Sequence, residues 1–144
     1  MRAFRALPLP LALLALDRLL KAIALDTSRP VAGGVFVLHR NSGIAFSIAL
    51  PDAVMAIGIA IAFAVVGVAA VRAMQREAPR PTPFFLILAG ALSNVCDRVR
   101  YGAVIDYFAA PRVGFYFNLA DLMILTGILL LLFRHPSQFL KDAH

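Results

Sequence analysis

The sequence predicts an all-α membrane protein of four transmembrane helices, with a small β-like extracytoplasmic segment between the first and second helices. Three observations carry this. Of the 144 residues, 61% are hydrophobic and 15% charged, well above the apolar content of ~45–50% usual in soluble domains. A span needs about 20 apolar residues, so the length holds at most four or five spans and no second domain. The Lys and Arg residues behind the net charge of +6 lie mainly in the connections, where they set orientation and do not signal nucleic-acid binding. Cys96 is the only cysteine, so no intrachain disulfide can form.

The first span is expected at about 7–25, after Arg2 and Arg5, which favour a cytoplasmic N-terminus. No small-residue cleavage site follows it, so it reads as a retained span and not a signal peptide. Asp17 and Lys21 are i,i+4 and can pair on one face, reading as an ion pair that snorkels to the outer interface. Residues 26–51 form the outer connection: Pro30, Gly33 and Gly34 break helix, Val35 to Leu38 is β-prone, and His39 to Gly43 makes a polar turn. The second span, 53–73, carries no charge; Gly58, Gly67 and many alanines suit it to close packing as scaffold. Arg72, Arg76 and Arg80 among Pro79, Pro81 and Pro83 mark a cytoplasmic connection.

The third span, 84–105, runs outward from Phe84 and ends in polar residues, with Gly102 a natural place for the chain to change course. The fourth span, 116–133, begins with Asn118 and Asp121 one turn apart, and Arg134, His135 and Lys141 after it place the C-terminus in the cytoplasm. Arg98, Arg100 and Arg112 fall on the outer side against the orientation rule, which suggests another use for them.

The stretch Ala89–Asp106 is where chemistry is expected. A central Asp or Arg costs roughly 2.5–3.5 kcal/mol on insertion scales, and such groups persist where they face each other, water or a substrate. Asn94, Asp97 and Arg98 share one helical face, and Asn118 and Asp121 form a second polar pair on the next span. Asp97 with Arg98 reads as an ion pair bracing the site. Asp106 and Asp121 lie nearest the outer ends; carboxyls brought together there would share a proton and titrate as a unit. One could then draw a proton from water while the other donates to a scissile carbonyl. Other chemistries fare worse. Cys96 has no nearby His, Ser42, Ser47 and Ser93 lack a base, and neither a zinc motif nor a Gly-rich loop is present.

Four blocks in order resemble signal peptidase II, the lipoprotein signal peptidase family of four-span membrane aspartic proteases. They are Leu16-Asp17-Arg18-Leu19-Leu20-Lys21, Asn41-Ser42-Gly43-Ile44-Ala45-Phe46, Ala89 to Asp106, and Phe117-Asn118-Leu119-Ala120-Asp121. The resemblance implies that Asp106 and Asp121 are the catalytic dyad. It implies that Asn41, Gly43, Asn94, Asp97, Arg98 and Asn118 surround the substrate or hold the dyad. It further implies cleavage of a prolipoprotein just before its diacylglyceryl-modified cysteine, use of no metal or other cofactor, contact with membrane lipids and inhibition by globomycin. The expected location is the bacterial cytoplasmic (inner) membrane, multi-pass, with the site near the extracytoplasmic face.

Departures from the family pattern bear on substrate preference. Ala89 and Ser93 replace usual glycines, Ile44 and Leu122 replace small residues, and the 107–116 connection is short enough to reduce a lid helix there. Two other readings stay open on the residues alone. A small proton-coupled transporter would place its acids near mid-membrane and drive proton flux in liposomes; a non-cleaving relative would bind lipopeptides without hydrolysis.

Overall fold

The computed structural model describes residues 6–26, 36–43, 51–75, 81–110 and 114–133. Four helices and three strands lie among them: α1 (Pro8–Asp26), β1 (Phe36–Asn41), α2 (Asp52–Gln75), α3 (Thr82–Tyr101), β2 (Val104–Ala110), β3 (Phe115–Phe117) and α4 (Leu119–Leu132). Among the described residues, one helix, α2 through Ala53–Gln75, is by length and composition long and apolar enough to cross a membrane. Charged residues interrupt α1 and the end of α3.

The helix ends follow local chemistry. Pro8 and Pro10 open α1, and Pro83 lies in the first turn of α3, where a missing N–H costs nothing. Gly102 takes φ 71° and its N–H bonds to the Arg98 carbonyl, a left-handed stop that a residue with a Cβ disfavours. Arg98 and Arg100 in that last turn face the negative end of the helix dipole. Asn118 caps α4: its side chain accepts the Asp121 N–H while the Asp121 carboxylate accepts the Asn118 N–H, a reciprocal capping box.

The β-like segment expected after the first helix is present as β1, but it is one edge of a larger element. β2 is central in an antiparallel sheet of order β1-β2-β3, with His39 opposite Asp106, Asn41 opposite Val104, and Phe108 opposite Phe117. This corrects the expected third and fourth spans. The helix expected over 84–105 stops at Tyr101, and the one expected from residue 116 starts at Leu119. Gly102 ends the first, and the run Val104-Ile105-Asp106-Tyr107-Phe108 has the branched and aromatic residues that favour strand. The chain between α3 and α4 thus folds as two strands, with no helical lid among its described residues; residues 111–113 lie outside them.

Beside an apolar core, large apolar side chains face outward and several polar ones are buried. Val54, Ile57, Ile61 and Val65 on α2, and Leu125, Leu132 and Phe133 on or after α4, are exposed. Asp17, Lys21, Ser93, Asn94, Asp97, Asp106 and Asn118 are buried. Apolar surfaces on this scale mark a partner or membrane rather than water, and the buried polar groups must satisfy one another. α3 and α4 approach closely at two glycines. A Cβ on Gly90 would lie 2.5 Å from the Ala120 carbonyl oxygen, and one on Gly127 would lie 2.7 Å from that of Pro83.

Candidate active site

Where α3, α4 and the sheet meet, a cleft of about 820 Å³ opens, lined by Asn41, Asn94, Arg98, Asp106, Asp121 and His39 among others. Asp106 comes from the middle of β2 and Asp121 from the first turn of α4, and Asn118 joins them. Its Nδ2 donates to Asp106 Oδ1 at 2.7 Å, its Oδ1 accepts the Asp121 N–H at 2.9 Å, and its own N–H donates to Asp121 Oδ2 at 3.2 Å. Each carboxylate has a second donor. Asn41 Nδ2 reaches Asp106 Oδ2 at 3.3 Å, and Asn94 Nδ2 reaches Asp121 Oδ1 at 2.8 Å. Asn41 is itself held by a turn in which its Oδ1 accepts the Gly43 N–H at 3.0 Å.

Asp106 lies outside the helices, on the sheet. Burial foremost, and then the negative charge of Asp121, push its carboxyl up to about 6, against the bonds from Asn41 and Asn118 and the charge of His39. Such a carboxyl exchanges its proton near neutral pH, the property an acid–base group needs.

Behind the cleft lies a second polar layer. Lys21 Nζ sits 3.1 Å from Asp17 Oδ2 and 2.7 Å from Asp97 Oδ2, with all three side chains fully buried. The pair expected to snorkel outward is thus locked inside, because Asp97 and Ser93 from α3 supply what water would have given. Arg18 Nη1 pairs with the other oxygen of Asp97. Two acids and two cations balance, and Ser93 Oγ donates to Asp17 at 2.5 Å. Ser93, a departure from the family's glycine, is therefore part of the network and does not merely crowd the helices.

This layer also steadies the groups around the two carboxyls. Lys21 donates to Asn94 Oδ1 at 2.9 Å. An ammonium only donates, so it fixes which end of the Asn94 amide is oxygen and turns the NH₂ toward Asp121. Asp17 Oδ1 accepts the Ala120 N–H at 3.1 Å and the Tyr107 hydroxyl at 2.8 Å, and that hydroxyl accepts the Leu119 N–H at 2.9 Å. The first turn of α4, which carries Asp121, is so anchored to α1 and β2.

The expected Asp97–Arg98 ion pair does not form. Although adjacent, the two residues point to different neighbours: Asp97 toward α1, while also accepting the Ile105 N–H of β2 at 3.2 Å, and Arg98 toward the turn after β1, where Nη2 donates to the Gly43 carbonyl at 2.8 Å. Residues one apart on a helix are separated by about 100° around its axis, which suffices to split them. Sequence reasoning missed Tyr107 and His39 as neighbours of the site and undervalued Asp17, Lys21 and Ser93. A charge pair one turn apart inside an apolar span was the available signal for the last group. Leu122 lines the cleft, whereas Ile44 lies outside the described residues.

Fold and site together define a mostly helical protein that gathers two carboxyls in one cleft between helices and a small sheet. A solved structure described as a bacterial membrane enzyme, determined by the in meso method at 2.3 Å resolution, has this fold, with TM-score 0.71 at 24% identity over 96% of this chain and 88% of that one. The profile of the signal peptidase (SPase) II family matches residues 9–135. The lipoprotein signal peptidase of Moorella thermoacetica is 34% identical over 131 residues, 85% of this chain and 87% of that protein. That of Azoarcus sp. is 37% identical over 139 residues, covering 88% of this chain and 79% of the relative. The chain belongs to the signal peptidase II family, a family of bacterial membrane proteases.

Proposed function

We propose that this protein is an aspartic endopeptidase that removes the signal peptide from diacylglyceryl-modified prolipoproteins, cutting just before the lipidated cysteine, with Asp106 and Asp121 as the dyad. One observation carries the reading: two carboxyls from different elements line one cleft and are both held by Asn118, Asp106 by its side-chain amide and Asp121 by its backbone N–H. With one proton shared between them, the carboxylate takes a proton from water as the water oxygen attacks the scissile carbonyl carbon. The other carboxyl gives its proton to the carbonyl oxygen. Collapse of the tetrahedral intermediate breaks the C–N bond, and a proton returns to the leaving amine.

Arg98 and Asn94 are the side chains offered to the substrate peptide. Arg98 lines the cleft, and its Nε is a buried donor with no partner among the described residues, a place for a substrate carbonyl. A narrower apolar groove of about 170 Å³ between α2, α3 and α4 shares Ile59, Asn94, Arg98 and Ile124 with the cleft and is walled by Phe63, Val66, Leu88 and Val95. It suits an acyl chain of the lipidated cysteine, and a globomycin-type inhibitor would occupy the same cleft. In this reading all four helices cross the cytoplasmic membrane, both termini are cytoplasmic, and the sheet lies at the extracytoplasmic face. The outward-facing apolar residues of α2 and α4 support it.

The test is cleavage of a diacylglyceryl-modified prolipoprotein by the purified protein in detergent or liposomes. Asp106→Asn and Asp121→Asn should each abolish cleavage while the protein still inserts. Full activity in either variant refutes the dyad, and lipopeptide binding without cleavage by the unaltered protein would identify a non-cleaving relative.

A further inference from the structure

β1 carries a titratable side chain for which the dyad, as described, has no use. His39 lies directly across the ladder from Asp106. Directly opposed residues of an antiparallel pair send their side chains to the same face, with Cβ atoms about 4.5–5.5 Å apart. Both residues line the cleft. The imidazole is held there by stacking on Tyr116 of β3, with ring centroids 4.1 Å apart and planes 11° from parallel. Because β1 and β3 flank β2, the stacked pair bridges across the strand that bears Asp106.

The other groups around Asp106 come from every packed element. β1 contributes Asn41 and α4 contributes Asp121 with its cap Asn118, while α3 presents Arg98 to the cleft. Among the described side chains, α2 presents the apolar Ile59 and β3 presents Tyr116. Arg40, opposite Ile105, alternates to the other face. The α1 cations Arg18 and Lys21 are engaged with Asp17 and Asp97.

We propose that His39 is a positioning residue of the dyad: clamped on Tyr116 beside Asp106, its imidazolium supports the Asp106 carboxylate and thereby sets the lower pH limit of cleavage. The proposal rests on the reading of Asp106 as a dyad member. Its sign agrees with the electrostatics at Asp106, where burial and Asp121 push the carboxyl up and His39 acts in the opposite direction. Without a cation there, acidification protonates both carboxyls at a higher pH, and no base remains for water.

The experiment has two arms, both on the full chain in detergent. In the first, ¹³C NMR of carboxyl-labelled aspartates follows Asp106, assigned by its loss in Asp106→Asn. His39→Gln should raise its titration midpoint by about half a pH unit or more, the effect of removing a unit charge a few ångströms away under water-like screening. His39→Arg, which keeps a cation, should not raise it. In the second arm, the acid limb of kcat/KM against pH should move upward in His39→Gln and stay put or move downward in His39→Arg. Tyr116→Leu, which frees the ring, should raise the midpoint by less than His39→Gln and serves as the test should that variant fail to insert. An unchanged Asp106 midpoint on loss of the imidazole or its clamp overturns the proposal, as do equal rises in the Gln and Arg variants or an unmoved acid limb. A midpoint shift in a chain that cleaves no prolipoprotein would leave the coupling standing and refute the peptidase reading instead.

Discussion

Asn118 serves two ends of the site with one amide. Its oxygen caps α4 at Asp121, and its nitrogen holds Asp106 and the Ile105 carbonyl. Asn118→Ala should therefore cost about 1 kcal/mol of stability through the lost cap. It should also lower kcat by roughly 10²-fold through loosening of both carboxyls, with a smaller change in KM; thermal unfolding and steady-state cleavage together check this. Asp106 makes a pH prediction. Its carboxyl stands at about 6 in the fold against an ordinary 3.8, so the folded state binds the proton more tightly than the unfolded one. The stability this lends is full below the ordinary value and is lost as pH rises through the folded value. Melting temperature should accordingly fall over that window, and fall less in Asp106→Asn. Parallel curves for the two proteins would contradict the assignment.

At the scale of elements, the α3–α4 pair depends on two glycines that α2 does not need. Gly90 and Gly127 face backbone carbonyls of the opposite helix at distances no real Cβ tolerates, while Gly58 on α2 has nothing within 4 Å of a Cβ. Gly90→Ala should push the helices apart, destabilising by about 1–3 kcal/mol, and should disturb Asp121 on the helix so displaced. Gly58→Ala should be neutral or stabilising by up to ~1 kcal/mol, as expected for a helix position without steric demand. Thermal unfolding of the two single variants in one detergent separates them. Equal effects would show that the close approach is not what the glycines provide.

For the whole molecule, the buried Asp17, Lys21 and Asp97, with the partly exposed Arg18, join α1 to α3 and, through Asp17 and Tyr107, to α4 and the sheet. Removing one member leaves the others buried and unbalanced, which typically costs 3–5 kcal/mol or about that. Lys21→Met should do so, and by releasing the Asn94 amide it should depress kcat even well below the melting temperature. Normal turnover in a destabilised Lys21→Met protein would show that Asp121 needs no support from this layer. Asp97→Asn should act through Arg18 and Lys21; Arg98, bonded to the Gly43 carbonyl, should keep its place.

The sequence by itself determined the helical class, the strand-prone run in the connection after the first helix, and the gathering of polar residues on α3 and α4. These follow from local cost: apolar runs need a protected setting, Gly and Pro end helices, and charges in such runs require partners. Only the tertiary structure decided who those partners are. Asp97 could have turned to Arg98 next to it in the chain, yet it meets Arg18 and Lys21, because a helix sends adjacent residues to different neighbours. Likewise Val104–Ala110 could have prolonged a helix, but β1 lay within reach to pair with it. That pairing draws Asp106 into the sheet and sets His39 across from it. The two carboxyls are 15 positions apart in the chain, and it is the Asn118 cap that joins them.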